Sequence, residues 1–322
     1  MTEKKLPNNA NGLFLTDSGL ETSLIFHDGM DLPHFASFVL LKTAEGRSRL
    51  KRYFAHHAEV AAAHGAGFVW ESVTWRASSE WGDKLGYSAR LLAEANREAI
   101  DLMREVAAGF RTTNVFSGNI GPRGDGYVAD ATMSVAAAAD YHARQVEIFA
   151  RAECDLVSAF TMTHTAEAIG IVRATMLHGM NCVISFTVET DGRLPSGETL
   201  AEAIVRTDTE TDGHPAYYMI NCAHPSHFAG VLEQGAAWMD RIAGVRANAS
   251  ARSHRELDDS PDLDAGDPVA LGEDYARLLA AVPSLRVFGG CCGTDIRHVA
   301  EIAKACLPRS GETKAPMARR AA

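Results

Sequence analysis

The chain repeats one pattern eight times: a short apolar run, then a longer stretch with apolar residues every three or four positions. The runs are LFLTDSG (13–19), GFVWESV (67–73), NVFSGNIG (114–121), DLVSAFTM (155–162), NCVISFTV (181–188), AYYMINCA (216–223), IAGVRANAS (242–250) and LRVFGGCC (285–292). The stretches between them, such as ARLLAEANREAIDLMREVAAG and SHFAGVLEQGAA, have the helical period. Steady alternation of strand and helix implies a parallel sheet, and eight units close it into a single-domain α/β fold, the (β/α)8 TIM barrel. An open doubly wound sheet is the rival arrangement. The barrel is favoured because no second domain or linker interrupts the pattern. It is expected over 12–308, with flexible ends at 1–11 and 309–322, where residues are polar or small.

The connections are unequal. Helix-to-strand links are brief (FRTT, HGM, PS), whereas strand-to-helix links are long at 74–89, 121–133, 189–198 and 251–266. All strand-to-helix links of a barrel lie at its C-terminal face, so a working site is expected there. Bulk properties exclude several functions. A formal net charge of -10 argues against nucleic-acid binding. No apolar run approaches the roughly 20 residues of a membrane span. The opening MTEKKLPNNANG lacks the apolar core of a secretory signal. Six cysteines in 322 residues are too few for a disulfide scaffold, so a reducing cytoplasm is the expected compartment.

Three of those cysteines fall at strand ends. Cys222 ends the sixth run, and Cys291 and Cys292 end the eighth. Asp17 ends the first run, which neighbours the eighth once a barrel closes. Adjacent thiols in a glycine-rich turn leave metal binding, redox chemistry or chance as explanations. Three thiolates at a barrel mouth suit zinc with one coordination position open to a substrate. Cys154, Cys182 and Cys306 read as small core residues.

The ordered segments TDSGLET, SVTWRAS, GNIGP, INCAHP and GGCCGTD, spread over residues 12 to 306, resemble the homocysteine S-methyltransferase family. These are zinc-dependent thiol methyltransferases that include betaine–homocysteine and S-methylmethionine–homocysteine enzymes. The resemblance implies Zn2+ at Cys222, Cys291 and Cys292. It implies a small-molecule thiol acceptor, most simply homocysteine giving methionine, and an onium methyl donor of the S-methylmethionine, S-adenosylmethionine or betaine type. Asp17 stands at the family's acidic position and is expected to hold the acceptor's ammonium group; a turn cap is its other reading. Glu21, four residues on, reads as a solvated carboxylate.

The sequence departs from the family at strand four. Many relatives carry a glutamate there for the amino acid's ammonium group, whereas this chain has Phe160 or Thr161, and Glu167 reads as a surface residue. Two alternatives therefore stay open: a methyltransferase or demethylase for another thiol, and a non-catalytic zinc-binding barrel. Trp70, Trp75, Trp81 and Tyr87 make the segment after strand two aromatic. Trp75 is expected at the substrate, where a cation–π contact is worth about 0.5–2 kcal/mol; the other rings are expected to pack the loop. Asn248, in RANAS, is the remaining expected substrate contact. His164, His224, His227 and His254 lie in or near strand-to-helix links and carry no assigned role. No stretch marks an oligomer interface.

Overall fold

The computed structural model describes residues 6–129, 133–232, 236–260 and 262–307. Its strands are β1 (Phe14–Leu15), β2 (Gly67–Glu71), β3 (Asn114–Ile120), β4 (Leu156–Met162), β5 (Asn181–Phe186), β6 (Tyr217–Asn221), β7 (Ile242–Ala247) and β8 (Val287–Gly290). Each pairs in parallel with its neighbour in chain order, and β1 pairs with β8 through Phe14↔Val287 and Leu15↔Phe288. The sheet is therefore a closed (β/α)8 barrel.

One main helix follows each strand, α1 (Ala44–Ala63), α2 (Ala89–Ala107), α3 (Val135–Arg151), α4 (Thr165–Leu177), α5 (Leu200–Glu210), α6 (Pro225–Phe228), α7 (Pro268–Ala281) and α8 (Ile296–Cys306), with short extra helices at Leu20–Thr22, Ser79–Lys84 and His254–Asp258 in the strand-to-helix links. Their starts are chemically marked. Ser88 caps α2, Ser134 caps α3, and Thr199 forms a reciprocal box with Glu202 at α5. Each cap satisfies a backbone N–H that has no partner inside its helix.

Two elements differ from expectation. Among the described residues, the helix expected over 226–237 is α6 and a 3-10 turn at Ala229–Val231, and 233–235 lie outside them. Gly230 lies in that turn, and glycine weakens a helix interior by about 1 kcal/mol relative to alanine. The first strand is also short. Beyond Leu15 the chain stays bonded to β8, the Thr16 N–H donating to the Phe288 carbonyl at 2.9 Å, before the Gly19 N–H donates to the Thr294 carbonyl at 3.2 Å.

Apolar residues fill two layers. Inside the barrel, Phe14, Val69, Val115, Leu156 and Val183 pack together near the strand starts. Leu6 joins them from below, and the Asn8 amide donates to the Ala216 carbonyl at 2.9 Å. Thus 6–11, read from sequence as part of a flexible end, packs under the barrel. Residues 1–5 and 309–322, the remainder of those ends, lie outside the described residues, as does residue 308 of the expected barrel. Between strands and helices, Trp70 is fully buried beside Phe54, Phe68, Phe110 and Phe116. It belongs to β2 rather than to the loop after it. Among the described residues no helix is long and apolar enough to cross a membrane.

Toward the strand ends the interior turns polar. The Ser117 hydroxyl donates to Ser158, the Ser158 hydroxyl to Glu71, and the Ser185 hydroxyl to Asn221, at 2.8, 3.1 and 2.6 Å. Tyr275 of α7 pins β7 to β8: its hydroxyl accepts from the Ala247 N–H at 2.7 Å and donates to the Gly289 carbonyl at 2.6 Å. Tyr275→Phe leaves both buried groups without that partner. It should cost about 1–3 kcal/mol, read as a lowered urea midpoint; an unchanged midpoint would show that the clamp contributes nothing.

Candidate active site

Cys222 follows β6, and Cys291 and Cys292 follow β8. Their three sulfurs lie within 4.8 Å of one another, and Cys222 and Cys291 are joined as a disulfide. The glycines of GGCCGTD allow the convergence. A Cβ on Gly290 would run into the Thr294 side chain, and Gly293 sits at φ +78°, a region that L side chains avoid. Six non-glycine residues among those described share that unfavourable region, and two of them lie here, Cys222 at φ +53° and Thr161 at φ +63°. Such residues cost on the order of 1–3 kcal/mol and persist only where neighbours hold them.

Asn221 is one such neighbour. Its Oδ1 accepts from the Thr161 N–H at 2.9 Å, and its Nδ2 donates to Thr161 Oγ1 at 2.8 Å. The Cys222 carbonyl is gripped as well, by Asn248 Nδ2 at 3.0 Å and His254 Nε2 at 2.5 Å. The His254 ring stacks on Tyr127, with centroids 4.1 Å apart, and the Tyr127 hydroxyl lies 3.2 Å from Cys292 Sγ. Burial pushes the Cys292 thiol up to about 11, against the pull of the Tyr127 hydrogen bond. A free thiol there is protonated at neutral pH.

The sulfurs line a cavity of about 330 Å3 at the C-terminal face. Phe26, Phe35, Trp75, Tyr127 and Phe160 contribute its rings. Seven carboxylates, among them Glu21, Glu71, Asp125 and Asp258, face two guanidiniums, Arg76 and Arg246. The wall is therefore acidic. Arg76 is committed elsewhere: its guanidinium lies 4.0 Å from the centre of the Trp75 ring and 3.8 Å from that of Trp81, and Nη1 donates to the Gly124 carbonyl at 2.9 Å.

The expected substrate residues fall in different places. Asp17 lines the cavity but already has partners: Arg246 Nη2 at 3.0 Å and the Thr16 hydroxyl at 3.0 Å on Oδ1, and the Tyr53 hydroxyl at 3.1 Å on Oδ2. Trp75 lines the cavity and donates from Nε1 to the Phe160 carbonyl at 3.3 Å. Asn248 lies behind Cys222, bonded to its carbonyl. Phe160 and Thr161 both line the cavity at the end of β4.

Two carboxylates read as surface groups are not. Glu21 lines the cavity and accepts from the Ser37 hydroxyl at 2.7 Å, and burial raises its pKa. Glu167 is buried, accepting from the Arg123 N–H at 2.8 Å and lying 2.9 Å from His142 Nε2. Burial opposes its charge, yet hydrogen bonds from His142 and His164 bring its pKa from 4.5 down to about 2. The stability this supplies is full above about pH 4.5 and is lost as the pH falls to about 2. Glu167→Gln should therefore cost roughly 3 kcal/mol in urea unfolding at neutral pH, with the deficit shrinking through that acid window. A deficit independent of pH would refute the charge's contribution.

Sequence reasoning missed Glu71, Arg246, Tyr127 and Asn221. Glu71 and Arg246 are charges inside apolar runs, a signal that was readable. Tyr127 lies in the long β3–α3 loop, and nothing in its local sequence marks it.

A model of the family described as homocysteine S-methyltransferase matches residues 14–306. No curated protein matches by sequence. Among solved structures, the oxidized form of the homocysteine methyltransferase MmuM from Escherichia coli superposes with a TM-score of 0.74 at 18% identity, covering 93% of this chain and 99% of that one. The metallated form of the same enzyme gives 0.72 at 17% identity, covering 92% and 97%. At such identity the likeness shows a shared fold. The family match spans nearly the whole barrel, including every strand and all three clustered cysteines, and on that ground the chain belongs to the homocysteine S-methyltransferase family and is a methyltransferase.

Proposed function

We propose that this methyltransferase moves a methyl group from a small onium donor to a thiol, most simply from an S-methylmethionine, S-adenosylmethionine or betaine-type donor to homocysteine, with Zn2+ held by Cys222, Cys291 and Cys292. The observation that carries the reading is the convergence of three sulfurs on the wall of an acid-lined cavity. Soft sulfur donors from three residues fit zinc with a position left for a ligand. Binding requires Cys222 and Cys291 to be reduced, a condition that the cytoplasm maintains. When bound, zinc supplies positive charge that lowers the pKa of an acceptor thiol.

The chain's own groups do the rest. Asn248 and His254 fix the strained Cys222 backbone, Asn221 fixes that of Thr161, and Tyr127 orients Cys292. The acidic wall favours a cationic donor, with Phe26, Phe35 and Trp75 offering apolar and aromatic surface for its methyl groups. Asp17 and Arg246 set the polarity at the β1 side of the cavity. As the acceptor sulfur's lone pair forms the new S–CH3 bond, the donor's bond to that carbon breaks. Its electron pair stays on the former onium atom, and the acceptor's thiol proton is released. The site's contribution is alignment and exclusion of water.

Reduced, zinc-loaded protein should form methionine from L-homocysteine with at least one of S-methylmethionine, S-adenosylmethionine and betaine, and Cys292→Ser should abolish it. Failure with every donor would refute the reading. Tyr127→Phe should weaken zinc about ten-fold in chelator competition, the scale expected on losing a group that orients a ligand. An unchanged affinity would remove Tyr127 from that role.

A further inference from the structure

Glu71, the last residue of β2, lines the cavity and is only 4% exposed. Its Oε1 accepts from the Ser158 hydroxyl at 3.1 Å, whereas its Oε2 is buried with no hydrogen-bond partner. A buried carboxylate oxygen left unpaired is costly, and such a group in a cavity marks the place of a missing donor.

The nearby cation does not serve. Arg246 spends Nε on the Gly290 carbonyl at 3.0 Å and Nη2 on the Ser18 carbonyl at 3.1 Å and Asp17 Oδ1 at 3.0 Å. Among the described residues no lysine, arginine or histidine forms an ion pair with Glu71. Asp17, by contrast, has both oxygens bonded within the protein. The two acids thus differ in availability. Asp17 is matched by Arg246, while Glu71 keeps an open oxygen. Its side chain projects from the sheet among the serines of the barrel interior, which fixes its position more firmly than a loop would.

We infer that Glu71 is the residue that recognises a positively charged group on the methyl acceptor, so that the preferred acceptor is a thiol carrying an ammonium group. This rests on the thiol-acceptor reading above and adds a selectivity determinant on strand two. An ammonium group supplies the donors that Oε2 lacks and positive charge in addition to that of Arg246, which hydrogen-bonds Asp17 and not Glu71. Burial, opposed by Arg246, raises the Glu71 pKa to about 7, and an adjacent ammonium would favour its ionised form.

The test uses reduced, zinc-loaded protein and two probes that differ only in the ammonium group: L-homocysteine and 4-mercaptobutanoate. Titration calorimetry should show the wild type binding L-homocysteine about ten-fold or more tightly than 4-mercaptobutanoate, the scale of one charge-assisted hydrogen bond. Glu71→Gln should erase that preference by weakening L-homocysteine alone. Glu71→Asp, which keeps the charge on a shorter arm, should retain part of it, and it carries the test if the glutamine variant does not fold. Equal wild-type affinities, or a preference that survives both substitutions, would overturn the assignment. Binding of neither thiol would bring down the thiol-acceptor reading as well. Methyl transfer to L-homocysteine with an unaltered preference in the variants would overturn the Glu71 assignment alone.

Discussion

β1 contributes only two residues to the sheet, and their pairing with β8 closes the barrel. The mouth of the site depends on that short seam. It brings Asp17 beside the glycines that carry Cys291 and Cys292, and the Gly290 N–H donates to the Asp17 carbonyl at 2.9 Å. Cys291 is held from the other side, its N–H donating to the Ala247 carbonyl of β7 at 2.8 Å. The β8 cysteines are thereby tied between β1 and β7, facing Cys222 beyond β6. Residues 69 positions apart become neighbours because backbone hydrogen bonds bring the ends of their strands together.

The polarity of the barrel interior then divides the molecule by function. Near the strand starts Phe14, Val69, Val115 and Leu156 form a dry core. Above it stand Glu71, Ser117, Ser158, Ser185, Asn221 and Arg246, a layer that costs stability unless its groups are paired. Most are: Asn221 serves the backbone of Thr161, and Arg246 serves Asp17, Ser18 and Gly290. Of these six, Glu71 keeps one buried oxygen without a partner. The strained backbones of Thr161 and Cys222 lie in the same region, as expected where geometry is held for a site rather than for stability.

The architecture was legible because period and alternation are local properties that the backbone obeys. The eight units and the cysteine cluster at β6 and β8 follow from them directly. The reading failed where a residue's environment comes from distant chain. Glu167 begins a helix like any surface glutamate, but His142 of α3 packs onto it. Glu21 looked like an open surface carboxylate, although it is half-buried in the cavity wall. Asn248 sits at a strand end as expected, with its Nδ2 bonded to the Cys222 carbonyl. The helix expected after β6 was drawn through Gly230, where the chain forms a 3-10 turn instead.

The central claim is that three cysteines drawn together by barrel closure form one zinc site in the reduced protein. Zinc content per folded chain, measured after reduction for wild type and Cys291→Ser, tests it most directly. The account predicts about one zinc per chain in the wild type and little or none in the variant. A reduced, folded wild type that takes up no zinc would contradict it.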